Sequence, residues 1–432
     1  MQRLYKKNKK GIRVNKLSPK LIYWIIAGTT SLASMLAFTV TMIYQVTVVG
    51  LNPLQLVLLG TTLEVTVLLF EIPTGIVADM YSRRLSVIVG VFIVGVGMAM
   101  QAAPTFLLLL LAQVVWGFGY TFTSGATDAW LVDEIGEEKA ADVFLYSNQV
   151  HQISALVGIA LSILIANFWI GLPMIVSGAL FLMLGIFLII MMPEHNFKPT
   201  PREGRNSWQM MVHTFRDGLK LTRGNPALMS LVGIDLVHGL FSEGYDRLGT
   251  AYILTTFALP TIFGFTSVIW FGLASAVSRL FSVAITEMIR KHFDLNQQTV
   301  AVRLSFVINV VLLLSLIAFP LVPTWWLAFI AVIVIGAMRH AFSPVFNSWM
   351  NQKIDDSRVR ATVLSMSSQM NAIGQIAGGP AIGAIGNSFS VRAALLISAV
   401  ILSPVLPLIA RARQIPSSVI GDQLSVIEAE VS

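Results

Sequence analysis

The chain has 432 residues, of which 55% are hydrophobic and only 12% charged, and its mean hydropathy is +0.76. So few polar side chains cannot clothe a water-soluble globule of this size, which makes a lipid bilayer the solvent. The formal net charge of +7 would fit nucleic acid in a soluble protein, but here Lys and Arg fall between apolar runs, where membrane topology accounts for them; with no cysteine, disulfides and thiolate metal sites are excluded.

Apolar runs of about 20 residues, the length that crosses ~30 Å of hydrocarbon, recur along the chain. They are continuous rather than alternating, which argues for helices and against a β-barrel. The expected fold is an all-α membrane protein with twelve spans, at 21–48, 53–79, 85–102, 104–133, 140–167, 171–192, 225–254, 262–290, 298–319, 323–351, 359–386 and 390–410. Met1 to Lys20 is a basic tail before an uncleaved first span, because the apolar run that follows is too long for a signal-peptide core.

The connections alternate in charge. Lys6, Lys7, Lys9 and Lys10 precede the first span, Arg83 and Arg84 follow the second, and Lys198, Arg202, Arg205, Arg216, Lys220 and Arg223 follow the sixth. Arg290 and Lys291 follow the eighth, Lys353, Arg358 and Arg360 the tenth, and Arg411 and Arg413 the last, whereas the intervening connections carry only Arg392. By the positive-inside rule both termini are expected in the cytoplasm.

The one sizeable break separates the sixth and seventh spans, so the chain divides into a tail (1–20), a six-helix bundle (21–192), a cytoplasmic linker (193–224), a second bundle (225–410) and a C-terminal tail (411–432). In the linker Trp208, Met211, Val212, Phe215 and Leu219 recur at helical spacing, as in an amphipathic surface helix. The halves repeat one another: Trp130 aligns with Trp349, Gln149 with Gln369, Gly158 with Gly378, and Asp79-Met80 with Glu287-Met288. Two parallel repeats with a site between them near mid-membrane is the layout of a secondary transporter.

An ionisable group in hydrocarbon costs at least ~2.5 kcal/mol, so each needs a partner, a watery cavity or a task. In the second span Glu64, Glu71, Gly75 and Asp79 follow seven-four-four spacing and share one stripe. Glu64 lies about 16 Å from the span's start, near mid-depth. It and Glu71 are candidate proton carriers, and a structural hydrogen bond is the competing account of Glu64. In the seventh span Asp235 and His238 sit near mid-depth, where a proton could pass between them, and Glu243 and Arg247 form an i,i+4 pair. Asp79 with Arg83 and Arg84 reads as a gate at the cytoplasmic mouth, with Gly75 allowing close helix approach and Asp128 and Asp133 as further partners.

Arg279 and Arg339 are cations within spans; neutralising a neighbouring acid is the favoured account and meeting an anionic substrate group the alternative. Tyr44, Gln45, Gln113, Trp116, Tyr120, Gln149, Glu243, Trp270 and Trp349 complete the candidate cavity lining, though aromatics also serve as packing. No His/Glu metal spacing or compact Ser-His-Asp set is present, so neither a metal nor an enzymatic activity is expected.

Gly75-x-x-x-Asp79-x-x-Ser82-Arg83-Arg84 resembles the loop signature of the major facilitator superfamily, with Ser82 in place of its second Gly, and the resemblance extends over essentially the whole chain. Glu71-Ile-Pro-Thr-Gly75 and Ser124 through Glu134 look like the drug:proton antiporter branch that holds macrolide, tetracycline and siderophore exporters. Two departures stand against antiport: Gln113 occupies the place of a frequent fourth-span Arg, and the Gly-Pro signature is missing around Gly158, while a similar Gly374-x-x-x-Gly378-Gly-Pro380-x-x-Gly383 lies in the eleventh span.

The resemblance implies a monomeric, multi-pass protein of the cytoplasmic membrane that exports an amphipathic drug-like molecule by proton antiport and confers antibiotic resistance. No cofactor besides the coupling proton and no nucleic acid is expected. Export of a metabolite such as a siderophore, lipid translocation and a non-transporting receptor are the alternatives.

Overall fold

A computed structural model describes residues 17–199, 226–261, 267–294, 297–353 and 357–413. The basic cluster Lys6–Lys10 and the linker helix expected over Trp208–Leu219 lie outside the described residues. Every described element is an α-helix. α1 (Pro19–Thr47), α2 (Pro53–Met80), α3 (Arg83–Met100), α4 (Phe106–Thr123), α5 (Ala126–Ile135), α6 (Glu137–Ala166) and α7 (Leu172–Met191) precede the linker. α8 (Pro226–Thr256), α9 (Val268–His292), α10 (Gln298–Ala318), α11 (Trp325–Lys353), α12 (Ser357–Ser388), α13 (Val391–Leu402) and α14 (Val405–Arg413) follow it. Since α4 and α5 continue one another, as do α13 and α14, these make twelve rods among the described residues, ten of them long and apolar enough to cross a bilayer. The two outside that count are α8, which carries Asp235, Glu243, Asp246 and Arg247, and α12, rich in Ser, Asn, Gln and Gly.

Local chemistry sets where the rods begin. Asn52 caps α2 through a reciprocal box with Gln55 ahead of Pro53, Ser82 caps α3 by accepting from the Leu85 amide at 2.9 Å, and Ser390 caps α13. The expected fourth span is interrupted at Ser124–Gly125, where Gly125 takes φ +70°, a left-handed conformation that suits a residue without Cβ. Pro73 does not break α2. The Thr74 hydroxyl beside it lies within hydrogen-bond distance of the carbonyls of Phe70 (2.8 Å) and, across to α4, of Thr121 (3.0 Å).

Without a hydrophobic drive between helices in lipid, close packing of small residues has to hold the rods together. α8 and α12 pack most extensively, backbone to backbone: a Cβ added at Gly239 would lie 2.0 Å from the Asn371 carbonyl oxygen, and one at Gly378 2.3 Å from that of Leu240. Two apolar clusters result, one drawn from α1–α7 with Val268, the other from α8–α14 with Leu51, Leu56, Val57, Leu59 and Leu109. Between them runs a seam in which α2 packs on α8 and α12, and α1 and α6 pack on α9. At one end of the rods the seam is closely packed: Cβ atoms at Gly383 and Gly272 would reach Val57 (3.1 Å) and Ile163 (2.7 Å).

Candidate functional site

The seam carries a cluster of charge. Arg247 Nε donates to Glu243 Oε1 at 3.0 Å, and this pair is buried against α2 where Gly60 leaves room: a Cβ there would fall 1.4 Å from Glu243 Oε1 and 2.6 Å from Arg247 Nε. The stem of Glu243 also rests on α12, 3.3 Å from a Cβ placed on Gly379. Glu64, one helical turn from Gly60, lies within electrostatic reach of Glu243, Arg247 and Glu71. Across α8, Asp246 is held by Arg339 of α11 through two hydrogen bonds, the longer 2.9 Å, and the guanidinium also lies over the Phe241 and Tyr245 rings at 5.8 and 5.9 Å. Glu64, Glu243 and Asp246 thus share Arg247 and Arg339, three acids for two bases, and Glu64 has no hydrogen bond or ion pair among the described residues. An acid without a counter-ion at this depth needs water, another cation or a task.

Asp235 and His238 turn to different partners instead of to each other. Asp235 accepts from the Ser367 hydroxyl of α12, and its carbonyl accepts from Asn371 Nδ2 at 3.1 Å. His238 Nε2 is 2.9 Å from Asn309 Oδ1 of α10, and its ring stacks on Phe342 at 4.5 Å. Any proton exchange between the two needs an intermediary.

At the opposite end of α2, Arg83 donates to Asp133 (2.7 Å) and the Ala129 carbonyl (2.8 Å), with Asp79 at 3.4 Å. Asp128 accepts instead from Tyr23 at 2.6 Å, so it takes no part in holding Arg83. Arg84 donates to the Ile189 carbonyl from its side chain and to Glu194 from its backbone. Glu194 also accepts from Ser82, and Trp130 donates to the Pro193 carbonyl, so the turn before α3 is fastened to the chain leaving α7. Sequence reasoning missed Glu194, whose signal was its place directly after the sixth apolar run. Gly75 is not a close-approach point in this arrangement, since a Cβ there would meet nothing within 4 Å. Glu287 pairs with Arg290 (2.7 Å) and Lys291 (3.3 Å) on α9, matching the Asp79–Arg83 relation on α2 and α3.

The cavities among the described rods include one of ≈ 230 Å³ around Asp235, Ser367 and Asn371, and three more. One of ≈ 320 Å³ is mostly apolar and takes in Phe38, Trp116, Tyr120, His151 and Phe181. A second of ≈ 200 Å³ shares Phe38 with it and reaches Tyr245 and Asp246. The third, ≈ 220 Å³ and polar, shares Asp246 and is lined by His238, Ser242, Arg339, Asn371 and Gln375. Trp116 and Tyr120 therefore face space, while Glu71 and Gln149 are exposed outside these cavities. Tyr44, Gln45, Gln113, Trp270 and Trp349 are core: Tyr44 donates to the Ala102 carbonyl, Gln113 to Gln101, and Trp270 to the Pro260 carbonyl inside a tryptophan cluster. Asn371 and Gln375 were missed, although Ser367, Asn371 and Gln375 stand at i, i+4, i+8. Among the described residues Arg279 meets no carboxylate; its guanidinium reaches Gln152 Oε1 at 3.4 Å and Met35 Sδ at 3.1 Å.

Comparison with known proteins agrees with this architecture. An uncharacterized MFS-type transporter of Bacillus subtilis (strain 168), YxaM, is 22% identical over 351 residues, 81% of this chain and 85% of that one. The crystal structure of the nucleoside transporter NupG superposes with a TM-score of 0.72 at 17% identity, over 93% of this chain and 100% of that one. A bacterial homolog of the human lysosomal transporter Spinster, inward-facing and occupied, gives 0.70 at 14% identity over 93% and 97%, and a POT family transporter in complex with 5-aminolevulinic acid gives 0.67 at 11% over 90% and 94%. At these identities the superpositions speak for fold alone. The sequence pattern of the Major Facilitator Superfamily matches residues 23–311, about two thirds of the chain, and the protein is a multi-pass membrane transporter of that superfamily, not an enzyme.

Proposed function

We propose that the protein is a proton antiporter of the cell membrane that exports an amphipathic small molecule, with two six-helix bundles (21–192 and 225–410) rocking about the seam. The observation that carries this reading is the surplus acid at the seam: Glu64 on α2 has no counter-ion of its own, while the Glu243–Arg247 pair of α8 packs on Gly60 one turn away. A carboxyl group in that position can take a proton from one side and release it to the other as the seam opens and closes. The substrate class follows from the cavities, which pass from an aromatic, apolar chamber to a polar one through shared Phe38 and Asp246.

The alternation of Lys and Arg supports a cytoplasmic location for both termini and for the Asp79–Arg83–Asp133 network. On that assignment the tight approaches at Gly383 and Gly272 close the outer side, and the open face of Gly75 belongs to a cytoplasmic gate that has swung apart. A second reading, uptake of a polar solute, is favoured by the polar lining of the chamber around His238, Arg339, Asn371 and Gln375.

Everted vesicles carrying the protein, with an imposed pH gradient, separate the two. Export predicts that lipophilic drugs dissipate the gradient and nucleosides or small peptides do not; the reverse pattern selects uptake, and no response to either class removes proton coupling.

A further inference from the structure

Arg279 differs from Arg247 and Arg339, the two cations of the charge cluster at the seam. Arg247 is held by Glu243 and Arg339 by Asp246, whereas Arg279 has a long bond to an amide oxygen and a contact with a thioether, and no acid. A guanidinium has five N–H donors, and a thioether is a weak acceptor, so most of its capacity is unused. The neighbours deepen the imbalance: His151 of α6 and His340 of α11 both lie within electrostatic reach of Arg279, and the acid that reaches His340, Asp246, is already taken by Arg339.

The helix geometry aims this charge across the seam. Ser278 turns toward α11, where its hydroxyl donates to the Ile333 carbonyl at 3.2 Å and Gly336 leaves room for it. Arg279, the next residue, turns the other way, to Met35 of α1 and Gln152 of α6. His151, adjacent to Gln152, is part of the wall of the apolar chamber that holds Phe38, Trp116 and Tyr120. A fixed cation with spare donors therefore lies within electrostatic reach of His151, which is part of the wall of the aromatic chamber.

We infer that Arg279, with His151 and Gln152, binds the anionic group of the transported molecule, so that the substrate is an amphipathic organic anion such as an aromatic carboxylate. Carboxylate geometry suits this site, because a planar guanidinium pairs with two oxygens at once and an imidazole can donate a further bond. The inference rests on the proposed transport reading and narrows its substrate class. It also gives the substrate a mechanical role: an anion held between α9 and the α1–α6 face contacts both sides of the seam.

The test uses the full chain in lipid nanodiscs and three probes of one shape: naphthylacetate, naphthylacetamide and naphthylethylammonium. Isothermal titration is expected to rank the carboxylate first. Arg279→Gln should weaken carboxylate binding about thirtyfold or more and amide binding far less, with a thermal melt of the variant as the control for folding. Arg279→Lys, which keeps the charge but loses the fork, should retain preference for the carboxylate over the amide at reduced affinity. Equal binding of carboxylate and amide, wild-type carboxylate affinity in Arg279→Gln, preference for the ammonium probe, or no binding of any probe overturns the inference. The transport reading is tested separately: proton flux driven by a cationic drug, equal in wild type and Arg279→Gln, would leave antiport standing while removing the anion site.

Discussion

Glu243 and Arg247 illustrate how one buried pair constrains its surroundings. The Glu243 side chain is almost out of contact with solvent and that of Arg247 largely so, and glycine, as at Gly60 of α2, is the one residue type that leaves space for them. Breaking such a pair by removing one partner costs about 3–5 kcal/mol, whereas replacing both with apolar residues is often close to neutral. Arg247→Leu is therefore expected to lower stability by about that amount, and Glu243→Leu added to it should recover most of the loss; chemical denaturation in detergent measures both. Recovery in the double variant accompanied by lost transport would assign the pair to coupling, not to stability. The spacing in the sequence was enough to read this pair, since residues four apart on a helix must be neighbours. It could not reveal the Gly60 notch, the turn of Asp235 toward Ser367 and of His238 toward Asn309, or that Arg279 meets an amide and a thioether rather than an acid among the described residues, because each depends on which rod stands next to which.

At the scale of elements, α8 and α12, the two rods outside the count of ten apolar spans, have the closest backbone contact, with Gly239, Gly374 and Gly378 at the crossing. Polar residues inside a membrane need neighbours, and glycines let that neighbour come within reach of Asp235, Ser367 and Asn371. Gly378→Leu is expected to destabilise the protein by about 1–3 kcal/mol or more, since the added side chain meets backbone atoms that cannot step aside; a fluorescence size-exclusion melt should move to lower temperature. The same change at Gly75, whose face is open, should leave the melt unaltered. Rod positions were legible along the described chain because apolar length and caps such as Asn52-Pro53 act locally. The break at Ser124–Gly125 escaped because the apolar run continues through it, and a single left-handed glycine gives no periodic signal.

Across the whole molecule, the proposed motion requires the seam to open where Val57 and Gly383 now touch. The chain has no cysteine, so pairs can be introduced into the native background. A Cβ at Gly383 would lie 3.1 Å from that of Val57, close enough for a disulfide after a small adjustment. Val57→Cys with Gly383→Cys is expected to cross-link on oxidation and stop transport, and reduction should restore it. Full cross-linking with undiminished transport would rule out opening at this seam.

Coupling is the central claim, and it rests on one carboxyl group. In proteoliposomes with a pH-sensitive dye inside, wild type is expected to show substrate-driven proton movement and Glu64→Gln none, with substrate binding to Glu64→Gln in nanodiscs within about threefold of wild type. Wild-type proton movement in Glu64→Gln would contradict the account directly, because no carrier would remain at the position from which the coupling was argued.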